Sequence, residues 1–215
     1  MKDLDLNILN ADMRIVVQYY KKIYTVEGGE NMSKKICVFL ADGFEEIEGL
    51  TVVDLLRRVG AGVSAVSITK NLKIHGAHGI DVMADILFED MEFEDADMLV
   101  LPGGLPGTTN LQEHVGLREL LKRFYKEEKY IAAICAAPRI FGEMGFLQGR
   151  KAISYPAMEG ELIGAEIERA PVVVDGHVIT SRGMGTAIDF SLKLIELLFD
   201  GETAVKTGES IIYKA

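Results

Sequence analysis

Cysteine and basic charge are both scarce in this 215-residue chain. Its two cysteines, Cys37 and Cys135, lie far apart with no CxxC spacing, which argues against a disulfide framework or a cysteine zinc site. Lys and Arg total 23 against 33 Asp and Glu, a net charge of −10. With no basic run of useful length, nucleic acid and anionic membrane are both poor partners. No apolar stretch approaches the roughly 20 residues of a membrane span. The first residues also lack the basic start of a secretory signal. The four histidines show no metal-ligand spacing, and His75 and His78, beside Gly76 and Gly79, read as loop residues. Neither a metal nor a cofactor is expected, and the expected location is the cytoplasm. What is present is a 48% hydrophobic, 26% charged composition, that of an ordinary globule long enough for one sizeable domain.

Residues 1–32 differ in pattern from the rest of the chain. Scattered apolar residues give way to Glu27-Gly28-Gly29-Glu30, and Met32-Ser33-Lys34-Lys35 then resembles a bacterial start. We expect 1–32 to be an N-terminal extension, either a mis-called start or a peripheral arm, and 33–215 to be a single domain. From there strands and helices alternate. A continuous apolar run at 36–40 suits a strand covered on both faces, and 97–101 and the apolar 131–134 give further strands. Residues 63–68 read as a second strand, 73–82 as a short hairpin or meander, and 151–154 as a short strand. Helical spacing appears at 46–59, 111–126, 138–145 and 186–199, with single turns at 159–163 and 202–207. Asp175-Gly176-His177 between β-branched runs predicts another hairpin. The alternation implies βαβ units and an open α/β sandwich with a mainly parallel sheet.

In such sheets the site lies beyond the carboxyl ends of the strands. Three segments end there: Asp42-Gly43-Phe44-Glu45-Glu46-Ile47-Glu48, Leu101-Pro102-Gly103-Gly104, and Ile131-Ala132-Ala133-Ile134-Cys135-Ala136-Ala137-Pro138. A cysteine between a strand and a helix fits a nucleophile elbow, and a helix N-terminus favours its thiolate. A free cysteine in an apolar run also reads as an ordinary core residue, and the residues alone leave both readings open. Cys37, within a strand, reads as core. Glycines 103 and 104 allow backbone amides to approach a ligand, forming an oxyanion hole with the amide after Cys135. Charge at a helix start accounts for Glu45 and Glu46. Glu48, one turn in, can point over the sheet end, where desolvation would keep it protonated and able to donate to a neighbouring sulfur.

These three motifs, with Thr180-Ser181-Arg182-Gly183-Met184-Gly185-Thr186, resemble those of the ThiJ/PfpI family and most closely its Parkinson-disease-associated protein deglycase branch. The resemblance runs from about Lys34 to the C-terminus. It implies a flavodoxin-like three-layer sandwich and a homodimer, with the first helix and the hairpin after Val63 as the family's contact surfaces. It also implies a reactive Cys135 hydrogen-bonded to Glu48, and an anion pocket of the Gly104 and Ala136 amides beside Gly103. The activity it implies is cysteine-dependent turnover of glyoxals or early glycation adducts; the alternative is a redox-sensing or chaperone dimer using Cys135 oxidation. Two positions depart from the family. Tyr155-Pro156 stands where the branch carries His-Pro, and Ala136 stands where the protease-like branch has histidine. That argues against peptidase activity and leaves a Cys–Glu dyad, with Tyr155 at the third position.

Overall fold

The computed structural model describes residues 34–214, so the reading of 1–32 as an extension falls outside the described residues. The chain begins with β1 (Lys35–Leu40), a strand buried from its second residue onward. Side chains on a strand alternate between faces. Ile36, Val38 and Leu40 therefore enter one core, and Cys37 and Phe39 enter the other. A strand with two apolar faces must lie in the middle of a sheet covered on both sides.

The main sheet has seven strands. β1 pairs in parallel with β2 (Gly62–Ser67) on one side and β6 (Met98–Leu101) on the other. Beyond β2 lies the two-residue β5 (Ile86–Leu87). Beyond β6 come β7 (Tyr130–Ile134) and then β11 (Val178–Ser181), both parallel. The antiparallel β10 (Val172–Asp175) closes that edge by pairing with β11 in a hairpin at Gly176, φ +62°. Two small ladders lie outside the sheet. The antiparallel β3 (Lys73–His75) and β4 (Asp81–Met83) form the expected hairpin, and β8 (Lys151–Ala152) pairs with β9 (Glu166–Ile167).

One layer of helices comprises α1 (Glu46–Arg58), α5 (Ala187–Leu198) and α6 (Gly201–Ser210). α1 contributes Val52, Leu55 and Leu56 and α5 contributes Phe190 and Leu194 to the core they share with Ile36 and Val38. The other layer comprises α2 (Gly107–Glu113), α3 (Val115–Lys126) and α4 (Pro138–Glu143). Leu117, Leu121 and Phe124 of α3 and Phe141 of α4 fill the second core against Phe39 and Leu99. Each fully buried Leu or Phe contributes roughly 1.5–3 kcal/mol. The architecture is the mainly parallel three-layer α/β sandwich of the flavodoxin type. Among the described residues no helix is long and apolar enough to cross a membrane.

The structure corrects three local expectations. The single helix read over 111–126 is two, broken at His114, whose extended backbone ends α2. His114 Nδ1 then accepts the Leu117 N–H at 3.0 Å and caps α3, an N-cap role more usual for Ser or Asp. The strand read over 151–154 stops at Ala152, outside the main sheet. The turn read at 202–207 is a ten-residue helix, started by Asp200 Oδ1 accepting from Thr203 N–H at 2.7 Å.

Candidate active site

Four loops meet at the carboxyl edge of the parallel strands, following β1, β6, β7 and β11. Their last residues are brought level by strand register, Leu101 beside Ala133 and Ile134 beside Ser181. Cys135 is the first residue after β7 and has φ +65°, a left-handed conformation uncommon outside glycine. Its neighbours over-determine that conformation. The Cys135 N–H donates to Ser181 O at 3.0 Å, its carbonyl accepts from Tyr155 N–H at 2.8 Å, and Ala137 N–H closes a turn onto Ile134 O at 3.1 Å. Pro138 then starts α4, where its missing N–H forfeits no helical bond. The elbow expected from the sequence is present.

Glu48 reaches the elbow from the first turn of α1 and is only 1% exposed. Its Oε2 accepts the Gly103 N–H at 2.8 Å. Its Oε1 has no partner at full hydrogen-bond geometry, but it faces the same small space as the sulfur. A Cβ built on Gly183 would stand 3.8 Å from both Cys135 Sγ and Glu48 Oε1. Gly103 is glycine for the same reason of crowding, since a Cβ there would lie 2.6 Å from both Cys135 Cβ and Glu48 Oε2. Gly104 adopts φ +90°. The Gly104 and Ala136 amides both face the sulfur and pull its titration downward. Glu48, Gly103, Gly104 and Ala136 therefore converge on Cys135.

Electrostatics make the two acids of the pocket interdependent. Burial above all pushes the Glu48 carboxyl up to about 7, against hydrogen bonds from Cys135 and the Gly103 amide that lower it. Burial also pushes the Cys135 thiol up, to about 12, and a Glu48 carboxylate beside it acts in the same direction. The second effect exists only while Glu48 is ionised. Two anions cannot share this space, so once the first proton is lost, through about pH 7, the pair holds the remaining one in common. When that proton sits on Glu48, the carboxyl is a donor to sulfur and no longer opposes the thiolate. Cys37, by contrast, is fully buried within β1 and pushed up to about 12 by burial alone, as befits a core residue.

An open cleft of about 480 Å³ surrounds the pair, rimmed by Tyr155, Arg182, Met184 and His78. Tyr155 is half-exposed, with its ring edge toward Gly183, and its hydroxyl makes no hydrogen bond among the described residues. It adjoins the site without being fixed in it.

Sequence reasoning missed two features. Glu46 is more than helix-start charge: it is buried, and its Oε1 accepts the His78 N–H at 2.7 Å while Oε2 meets His78 Nδ1 at 2.9 Å. This contact secures the β3–β4 hairpin to α1, and a side chain at Gly76 would collide with the Glu46 carboxyl. The residues are 32 apart, so no local spacing reveals the pair. His78 is pushed up by its hydrogen bond to Glu46 and the charges of Glu45 and Glu46. Burial would raise Glu46, but hydrogen bonds, led by the one from His78, carry it below its usual range. One donor atom each of Glu45, Glu46 and His78 lie within 4.8 Å of one another, the grouping of the described residues nearest to a cation-binding set. Arg182 on the rim is the second feature, visible in the late loop but without an assigned role until the loop is placed.

Residues 34–197 match the family described as DJ-1/PfpI. A DJ-1 homologue from Arabidopsis thaliana, homolog B, is 34% identical over 94% of this chain, and 47% of its own length is covered. The chain spans about half the length of this protein and of the Arabidopsis homolog A. A protein named a deglycase from Pyrococcus abyssi is 34% identical over 76% of this chain and 99% of its own. Among solved structures, oxidised DJ-1 from Toxoplasma gondii superposes with a TM-score of 0.82 at 35% identity, covering 85% of this chain and all of that one.

Proposed function

The chain belongs to the DJ-1/PfpI family, and from that premise and the cleft geometry we propose that it is a cysteine-dependent enzyme acting on glyoxals or early glycation adducts. The observation that carries this reading is the buried Glu48 carboxyl, raised to about 7, beside a positive-φ Cys135 that faces two free backbone amides. A carboxyl poised near neutral pH can both give and take a proton within one turnover.

The proposed sequence begins when the Cys135 thiolate adds to the aldehyde carbon of a 2-oxoaldehyde, forming a C–S bond. The carbonyl oxygen becomes an oxyanion held by the Gly104 and Ala136 amides and takes the Glu48 proton, giving a hemithioacetal. Glu48, now a carboxylate, removes the proton from the former aldehyde carbon to give an enediolate and returns it to the neighbouring carbon, while the hydroxyl proton passes from the first oxygen to the second, leaving a thioester. One carbon is thereby oxidised and the other reduced, with no outside oxidant. Water cleaves the resulting thioester, releasing a 2-hydroxycarboxylate and the free thiol. Tyr155, at the rim, is the third contact, and its hydroxyl is free to meet the substrate's distal carbonyl. A phenol is too weak a base to replace Glu48 at neutral pH. No glutathione, metal or cofactor enters this sequence.

The test is conversion of methylglyoxal to lactate by the purified protein without glutathione. The wild type should turn over and Cys135→Ala should not; equal rates would sink the reading. A second reading, a redox-responsive or chaperone protein, is favoured by one observation: Cys135 is partly exposed while Cys37 is not. An activated, accessible thiol climbs the oxidation ladder first, and the Toxoplasma relative was solved as an oxidised protein. Intact mass after mild peroxide should show two oxygens on Cys135 and none on Cys37. We further propose a cytoplasmic protein that acts as a homodimer, with a small carbonyl compound or glycated adduct as its partner, and neither nucleic acid nor membrane.

A further inference from the structure

Almost every arginine among the described residues is matched to a carboxylate, from Arg57 with Asp85 to Arg169 with Glu159. Arg182 alone is not. It makes neither an ion pair nor a hydrogen bond among the described residues, and its Nε is buried without an acceptor. A buried donor without a partner is costly, and a guanidinium more so. This one directly follows β11 and lines the Cys135 cleft next to Gly183, where an added Cβ would stand 3.8 Å from Cys135 Sγ and Glu48 Oε1.

The acids of the cleft do not account for it. Glu46 is bound by His78, Glu45 faces the same ring at 3.6 Å, and Glu48 accepts from the Gly103 amide. The guanidinium is thus left for whatever fills the cleft. Its planar fork of donors matches a carboxylate better than a neutral carbonyl. In a chain of net charge −10, an anion entering this cleft needs a local cation to receive it.

We propose that Arg182 is a carboxylate-binding residue of the cleft, and that the site takes small 2-oxo- and 2-hydroxycarboxylates beside Cys135. The proposal rests on the enzymatic reading above, in which the released product is such an acid, and it adds that carboxylate analogues occupy the site as ligands.

The experiment compares two alkylating reagents of similar size, anionic iodoacetate and neutral iodoacetamide, followed by intact mass at Cys135. Cys37 is fully buried and does not compete. The ratio of the iodoacetate rate to the iodoacetamide rate should fall about tenfold in Arg182→Gln, the loss of one charge-assisted hydrogen bond. Arg182→Lys should partly restore it. An unchanged ratio in Arg182→Gln overturns the proposal. Calorimetric titration with glycolate gives the same decision where alkylation is slow: the wild type should bind about tenfold more tightly than Arg182→Gln, and equal affinities overturn it. Neither readout needs turnover. A wild type that binds glycolate but leaves methylglyoxal untouched removes the enzymatic reading and keeps Arg182. Turnover with an unchanged ratio does the reverse.

Discussion

At the scale of single residues, the site depends on one proton shared between Cys135 and Glu48. Replacing Glu48 by Gln removes the acid that keeps a proton near the sulfur. In the wild type the rate of Cys135 alkylation by iodoacetamide should rise through about pH 7 and level off, because the pair there loses the first of its two protons and the one that remains can sit on Glu48 and free the thiolate. In Glu48→Gln the thiol titrates alone against its burial, and the midpoint should rise by at least one unit. A superimposable profile would separate Glu48 from the thiol's chemistry. The same group also links stability to pH. A carboxyl raised from 4.5 to about 7 in the folded state favours folding fully below its unfolded value, and the benefit is lost as pH rises through 7. The full shift corresponds to about 3.4 kcal/mol, of which about 2.5 kcal/mol is lost between pH 5 and pH 8.5. Denaturant unfolding at pH 5 and pH 8.5 should show it in the wild type and not in Glu48→Gln. Cys135 and Glu48 became legible in the sequence only through the three ordered motifs taken together, since a lone cysteine after an apolar run reads equally as core. His78 and Arg182 were not. Their significance depends on which loops meet, and a histidine flanked by glycines carries no local sign that a buried glutamate waits for it.

At the scale of elements, the site exists because loops after β1, β6, β7 and β11 close on one another, and Gly103 is where the closure is tightest. Gly103→Ala places a methyl 2.6 Å from Cys135 Cβ and 2.6 Å from Glu48 Oε2, with backbone behind it at Ala136 N, 3.1 Å. Overpacking of this kind costs typically 1–3 kcal/mol. It also separates the sulfur from its proton, so Cys135 alkylation at pH 7 should slow at least tenfold. Gly160→Ala, where a Cβ meets nothing within 4 Å, serves as the control and should leave both stability and alkylation unchanged. Equal behaviour of the two variants would mean that the closure does not set the thiol's state. The strands around this site could be read from sequence for a physical reason: residues 36–40 and 131–134 are apolar on both faces, and only a central parallel strand buries both. The break at His114 could not be read. Helical periodicity runs straight through it, and the interruption comes from an imidazole folding back on Leu117 N–H, a local bond that outcompetes helix continuation.

At the scale of the molecule, the surface next to the site is apolar where an isolated acidic globule has little reason to be. Ile47 is 50% exposed and Leu50 38% on α1, while Ile80 and Met83 are 53% and 66% exposed in the adjoining hairpin. The hairpin is tied to the start of α1 by Gly43 N–H on His75 O and Ala77 N–H on Phe44 O, so the two elements present their apolar residues from a joined support. The proposed occupant is a second copy of the chain. Two copies each carrying −10 repel at long range, so burial of such side chains, about 1.5–3 kcal/mol for each one fully covered, has to hold them together. Salt screens the repulsion and leaves the apolar term, and the dimer should therefore strengthen with ionic strength. Sedimentation velocity over a concentration series should show two copies of the wild type, with tighter association at 0.5 M than at 0.05 M NaCl. Ile47→Glu with Leu50→Glu adds two charges on each copy at the contact and should give a monomer with an unchanged far-UV spectrum. A wild type that sediments as a monomer at every concentration and salt overturns the dimer, and a dimer untouched by the double variant moves the interface elsewhere. Since Glu46 and Glu48 lie on the same first turns of α1 as Ile47, the monomeric variant also asks whether the Cys135 cleft needs a partner. Alkylation at the wild-type rate in the monomer would show that one copy holds a complete site.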